Sequence, residues 1–89
     1  MNMYDFMASS AYKENRESYI NDTCEVGLLL RSRFRATLTG AQLRYPGVNI
    51  KHVETKHWLA STFSLRLEGK AHDLIKVLES MRAEMREYV

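Results

Sequence analysis

Residues 26–38 read Val-Gly-Leu-Leu-Leu-Arg-Ser-Arg-Phe-Arg-Ala-Thr-Leu. Apolar side chains recur there at alternate positions, and Arg31, Arg33 and Arg35 fall on the opposite parity. Successive side chains of a strand point to opposite faces, so the alternation predicts one long strand with a buried face and a cationic face. The apolar set consists of Val26, Leu28, Leu30, Phe34, Ala36 and Leu38.

A second interpretation of this stretch is a helix over residues 33–44, because part of it also fits one apolar helical stripe. That alternative gives the order β-α-β-β-α of a truncated ferredoxin-like fold. Gly40, Thr37 and Thr39 have low helix propensity, and we therefore prefer the strand. The helical stripe would consist of Phe34, Leu38, Ala41 and Tyr45.

A β-hairpin is predicted after the turn signal Pro46-Gly47. Residues 48–54 and 59–67 each alternate between apolar and polar side chains, and the polar interval 54–57 has hairpin length. A faint internal echo supports the strands. Residues 32–40 and 61–69 both read Ser-x-Phe-x-x-x-Leu-x-Gly.

Helices are predicted at both ends of the chain. Apolar residues at helical spacing indicate a helix within residues 3–19, followed by turn-forming residues at 21–23. Residues 70–88 carry a continuous apolar stripe with charged residues on the other side, which is typical of an amphipathic helix. The predicted class is α+β, with a three-stranded antiparallel or mixed sheet and both helices on one face, in the order α-β-β-β-α.

The chain is predicted to form a single domain over residues 1–89. Its length, with 45% hydrophobic and 27% charged residues, is typical of one folded domain. We divide it into an N-terminal helical segment, 1–22, a basic β-sheet region, 23–69, and a C-terminal amphipathic helix, 70–89.

Positive charge is concentrated in the middle of the sequence. Residues 26–67 contain seven basic residues and one acidic residue, whereas both flanking segments are net acidic. With the long strand in place, the outward cations form a basic sheet face, which predicts binding to an acidic protein surface or to nucleic acid phosphates. A solvated face that only keeps the strand from pairing explains the same pattern. The outward cations are Arg31, Arg33, Arg35, Lys51 and Arg66.

A protein partner is preferred over nucleic acid, because no aromatic residue falls at an outward position of the predicted strands, as base stacking requires. Trp58 and Tyr45 complete the predicted partner-binding residues, since aromatic side chains are enriched where proteins bind one another. Open sheet edges also make a homodimer an expectation.

The sequence offers no catalytic or metal-binding signature. Cys24 is the one cysteine, and His52, His57 and His72 show no paired ligand spacing, so neither a metal nor another cofactor is expected. No signal peptide and no membrane-spanning run is present, which favours a cytoplasmic location without membrane contact. The sequence therefore predicts a small non-enzymatic binding protein of the inhibitor or adapter type, a class often encoded by phages and mobile elements.

Overall fold

The computed structural model describes residues 3–86. Two short helices come first, and one longer helix lies between the first two strands. The elements are α1 (Met3–Met7), α2 (Ser10–Lys13), β1 (Glu17–Gly27), α3 (Arg31–Arg44), β2 (Asn49–Lys56), β3 (Ala60–Lys70) and α4 (Ala71–Arg86). The last two positions of the predicted helix 70–88 lie outside the described residues.

The three strands form one antiparallel sheet in the order β1-β3-β2. Both outer strands run antiparallel to β3, so β1 and β2 are parallel to each other and α3 is the crossover between them. The predicted α+β class, with a three-stranded antiparallel sheet flanked by terminal helices, is confirmed. The additional helix α3 gives the order of the ferredoxin-like alternative, preceded by α1 and α2.

The placement of the first strand is wrong. Residues 31–38 belong to α3, and the strand lies earlier in the chain, so the predicted turn at 21–23 falls inside β1. The segment 1–22 is therefore only partly helical, and the region 23–69 contains a long helix as well as strands. Alternation of arginine with apolar residues was thus not a strand signal here.

Burial explains why this segment is a helix. The buried residues of α3 follow the i, i+3, i+4, i+7 pattern, so one stripe of the helix faces the core. The hydroxyl of Thr37 donates to the Arg33 carbonyl at 3.0 Å, and the hydroxyl of Thr39 donates to the Arg35 carbonyl at 3.1 Å. Both threonines satisfy their hydroxyl groups within the helix and are tolerated there. The stripe consists of Phe34, Thr37, Leu38 and Ala41.

The core lies between the inner face of the sheet and the layer formed by α3 and α4. The rings of Phe34 on α3 and Phe63 on β3 pack with centroids 4.5 Å apart. These two residues are the matching phenylalanines of the sequence echo at 32–40 and 61–69, but one segment is helical and the other is a strand. The remaining buried core includes Phe6, Ile20, Val26, Leu38, Leu65, Leu67, Leu74, Ile75, Val77 and Met81.

Two glycines test the fold in opposite directions. Gly40 lies inside α3, and an added Cβ would meet only the Arg44 side chain, at 3.9 Å. Gly40→Ala should raise the free energy of unfolding by about 0.5–1 kcal/mol, because alanine is the better helix former. The measurement is urea denaturation followed by circular dichroism.

Gly69→Ala is the matched control. Gly69 is buried in β3, and an added Cβ would lie 3.3 Å from the Gly47 carbonyl oxygen and 3.4 Å from Val48. This crowding should lower the free energy of unfolding by about 1 kcal/mol or more. Destabilisation by Gly40→Ala of similar size would contradict the helix.

Candidate protein-binding site

The predicted basic sheet face does not form. Arg31, Arg33 and Arg35 lie on α3, which packs against the inner face of the sheet, whereas Lys51 and Arg66 lie on the outer face. On a helix, Arg31 and Arg35 share one side, and Arg33 projects in a different direction. The five cations are therefore divided between two surfaces.

The outer sheet face carries both signs of charge. Lys51 and Arg66 are directly opposite each other on β2 and β3. Arg66 Nε donates to Glu68 Oε1 at 2.6 Å, and this hydrogen bond lowers the pKa of Glu68. The Arg66 guanidinium also covers the ring of Tyr19, 4.4 Å from its centroid. An aromatic residue does lie on the outer face, contrary to the expectation from sequence, because β1 begins earlier than predicted.

Tyr45 and Trp58, the two predicted aromatic contacts, lie in different environments. Tyr45 is the C-cap residue of α3 and packs, half-buried, against the core. Trp58 occupies the turn between β2 and β3, and the residue is 89% exposed. The structure therefore leaves Trp58 available for a partner and uses Tyr45 in packing.

Trp58 belongs to an apolar surface at one end of the molecule. Leu28 and Leu29 follow β1, and Trp58 and Leu59 lie in the β2–β3 turn. The Leu28 N–H donates to the Leu59 carbonyl at 3.0 Å, which joins the two segments. These four residues are 42%, 88%, 89% and 71% exposed, in that order. We call these four residues the apolar tip.

Backbone hydrogen bonds hold both segments of the apolar tip. The Leu30 N–H donates to the Gly27 carbonyl at 3.0 Å, and the His57 N–H donates to the Ala60 carbonyl at 2.8 Å. A tryptophan presented on such supported turns loses little conformational freedom when it binds. Exposed apolar clusters of this kind mark interaction surfaces, and tryptophan is enriched among the residues that dominate binding energy.

The surroundings of the apolar tip are basic. Arg31 and Arg33 lie in the first turn of α3, which has neither an acidic residue in that turn nor a capping side chain at its N-cap. Lys56 is the last residue of β2 and comes just before the β2–β3 turn. The N-terminal end of a helix dipole is positive, so it adds to the positive potential of these side chains. A carboxylate of a partner placed there would be stabilised.

Arg35 does not add to that positive charge, because it is neutralised by Glu54. Its Nε and Nη2 donate to Oε1 and Oε2 of Glu54 at 2.7 and 3.2 Å. Ser61 Oγ donates to the same carboxylate at 2.7 Å. The bonds from Arg35 and then from Ser61 lower the pKa of Glu54 to about 2. This carboxylate therefore ties α3 to both strands of the hairpin directly behind the apolar tip.

Other chemical sites find little support among residues 3–86. No group of three His, Cys, Asp or Glu residues is arranged to hold a metal ion in this part of the chain. Burial raises the pKa of the Cys24 thiol, and the Asp22 carboxylate raises it further, so the nucleophilic thiolate is disfavoured. No helix within the described residues is long and apolar enough to cross a membrane.

Comparison with protein-family models, with curated proteins and with solved structures finds no match for this chain. Sequence reasoning identified Trp58 but missed its apolar neighbours, because Leu28, Leu29 and Leu59 were assigned to strands. The signal that could have found them is an apolar pair, Trp58-Leu59, within a hairpin turn.

The Glu54 network predicts a pH dependence of stability. The pKa of Glu54 is about 2 in the folded protein, below its ordinary value of 4.5, so folding favours the ionised form. Its contribution is present above pH 4.5 and is lost as the pH falls through about 2. The lowered pKa of Glu68 acts in the same direction.

Urea denaturation at several pH values measures this effect in the wild type, in Glu54→Gln and in Arg35→Leu. Both variants should be less stable than the wild type near neutral pH, and the difference should shrink as the pH approaches 2. A difference that stays constant over this range would show that the carboxylate is not held by Arg35 and Ser61.

Proposed function

We propose that this protein is a small non-enzymatic binding protein, of the inhibitor or adapter type, that docks its apolar tip on a partner protein. The exposure of Trp58 and Leu29, 89% and 88%, is the observation that carries the proposal. Two large apolar side chains held in water on supported turns are costly unless a partner covers them. The hydrogen-bonded turns present them together.

The partner surface is an apolar pocket rimmed by carboxylates. The charge around the apolar tip supports this chemistry, since Arg31 begins α3 and Lys56 ends β2. Arginine binds carboxylates through paired hydrogen bonds, and complementary charge accelerates encounter. The proposal retains the acidic partner surface expected from the sequence, but it places the binding site at the apolar tip and not on the sheet face.

Nucleic acid is the second candidate partner. One observation favours it, namely that Tyr19, Lys51 and Arg66 share the outer sheet face, where an aromatic ring and two cations could contact bases and phosphates. Glu68 argues against nucleic acid binding, because its carboxylate already binds Arg66.

We place the protein in the cytoplasm, which its single free cysteine supports.

Loss of the exposed aromatic should remove binding and leave the fold intact. In Trp58→Ala, partner affinity should fall about thirtyfold or more, the effect of losing a dominant interface residue. The free energy of unfolding should change by no more than about 0.5 kcal/mol, because the side chain makes few contacts in the free protein. Calorimetric titration against the partner retained from a lysate of cells that naturally express the chain measures the affinity.

Leu43→Ala is the control, since Leu43 is also a large exposed apolar residue, at 77%, but lies near the opposite end of α3. It should keep full affinity, as should nuclease-treated wild type. Binding that survives Trp58→Ala but is lost with nuclease, or in Lys51→Glu/Arg66→Glu, would instead identify a nucleic acid binder. Self-association abolished by Trp58→Ala would make the apolar tip a homodimer contact.

A further inference from the structure

β1 is an edge strand with one hydrogen-bonded neighbour, β3, among the described residues. At its two ends, the Arg16 carbonyl accepts from the Ala71 N–H and the Leu28 N–H donates to the Leu59 carbonyl, both at 3.0 Å. In an antiparallel pair, bonded and non-bonded positions alternate, so the even-numbered residues of β1 bond to β3. The N–H and C=O groups directed to the free edge therefore belong to Glu17, Tyr19, Asn21, Thr23 and Glu25.

The two edges of the sheet are treated differently. On the outer edge of β2, the side-chain amide of Gln42 donates to the Val48 carbonyl at 2.6 Å and accepts from the Ile50 N–H at 2.9 Å. On β1, Asp22 Oδ1 accepts from the Thr23 N–H at 2.8 Å. A side chain of α3 therefore occupies the backbone groups at the start of β2. On β1, the Thr23 N–H is occupied only by the side chain of the preceding residue, which a change of rotamer would release.

A groove of about 270 Å³ lies between the middle of β1 and α4. Asp22 and Arg82 are the charged residues on its walls, and the rest of the lining is predominantly apolar. A strand added to β1 would direct alternate side chains into this groove, in the position of the last strand of a complete ferredoxin-like sheet. The apolar lining comes from Cys24, Phe34, Leu65, Leu78, Met81 and Met85.

Charge selects the occupant. β1 contains Glu17, Asp22 and Glu25 and no basic residue. Pairing of two copies along β1 would bring three carboxylates from each copy together without a cation on either strand, which disfavours a homodimer at this edge. An incoming strand with lysine or arginine would instead meet opposite charge.

We propose that the free edge of β1 binds an extended segment of a partner protein as a fourth strand. Apolar side chains of that segment enter the groove, and basic side chains alternate with them on the outer face, opposite residues 19, 21 and 23 and within diagonal reach of Glu17 and Glu25. The backbone of the segment bonds to the N–H and C=O groups of Tyr19, Asn21 and Thr23, and the Asp22 carboxylate leaves the Thr23 N–H free for this pairing. This surface is separate from the apolar tip and has the opposite charge preference.

The probe is the capped peptide Thr-Lys-Val-Lys-Val-Lys-Thr, titrated into the full chain and followed by calorimetry and by amide chemical shifts. Binding should be saturable, and shifts should concentrate on β1 and α4. The same peptide methylated on the backbone nitrogens of its three lysines keeps its charges, but it loses the N–H groups that would face the edge of β1 in an antiparallel pair, so it should not bind. A peptide with glutamate in place of lysine should bind at least fivefold more weakly.

Three variants locate the site. Thr23→Pro removes an edge N–H that does not bond to β3, so it should abolish binding and retain the fold. His52→Pro is the matched control on the edge of β2 and should bind normally. Glu17→Lys/Glu25→Lys should weaken binding about fivefold, as expected for two exposed charge pairs.

Equal binding of the N-methylated peptide, or full binding by Thr23→Pro, would overturn the proposal. Loss of peptide binding in Trp58→Ala would also overturn it, because the peptide would then occupy the apolar tip. Self-association of the free chain that Thr23→Pro abolishes would show that a second copy occupies the edge. If Trp58→Ala does not weaken binding of the partner of the apolar tip, the proposed function fails, but the outcomes of the peptide experiment are unaffected.

Discussion

The three-way contact of Arg35, Glu54 and Ser61 is the interaction on which the arrangement of the site depends. A carboxylate that is only 12% exposed on the inner side of β2 needs hydrogen-bond donors, and it receives them from α3 and from β3. These bonds fix the beginning of α3 against the hairpin. The turn after β1 and the turn between β2 and β3 are consequently held side by side, and the apolar tip is built from them.

The fold separates two surfaces of different character. The apolar tip borders basic residues, because α3 begins with Arg31 and has no acidic residue in its first turn, and Lys56 ends β2. The edge of β1 is acidic and borders an apolar groove. The modest net charge of +2 conceals this separation. A domain of this kind can contact an acidic partner surface at one place and a basic extended segment at another.

The sequence predicted the hairpin, the C-terminal helix and the fold class, because their apolar periodicity has one interpretation. The apolar pattern of residues 31–38 has two interpretations, since apolar residues at 34 and 38 fit both a strand and a helix. The decision depends on contacts that local sequence does not contain, namely Phe34 against Phe63 and Arg35 with Glu54. Because residues 31–38 form a helix and not a strand, three of the predicted binding residues lie on a different surface. Trp58 is exposed in either case, because it lies in the hairpin turn.

Fluorine NMR of the chain labelled with fluorotryptophan tests the central claim most directly, because Trp58 is the one tryptophan and gives a single resonance. Titration with the partner protein retained by the wild type should shift this resonance and remove its accessibility to a soluble paramagnetic agent. Before the partner is added, the agent should broaden the resonance strongly, as expected for an exposed indole. A resonance that is protected in the free protein, or equally accessible in the complex, would contradict the account.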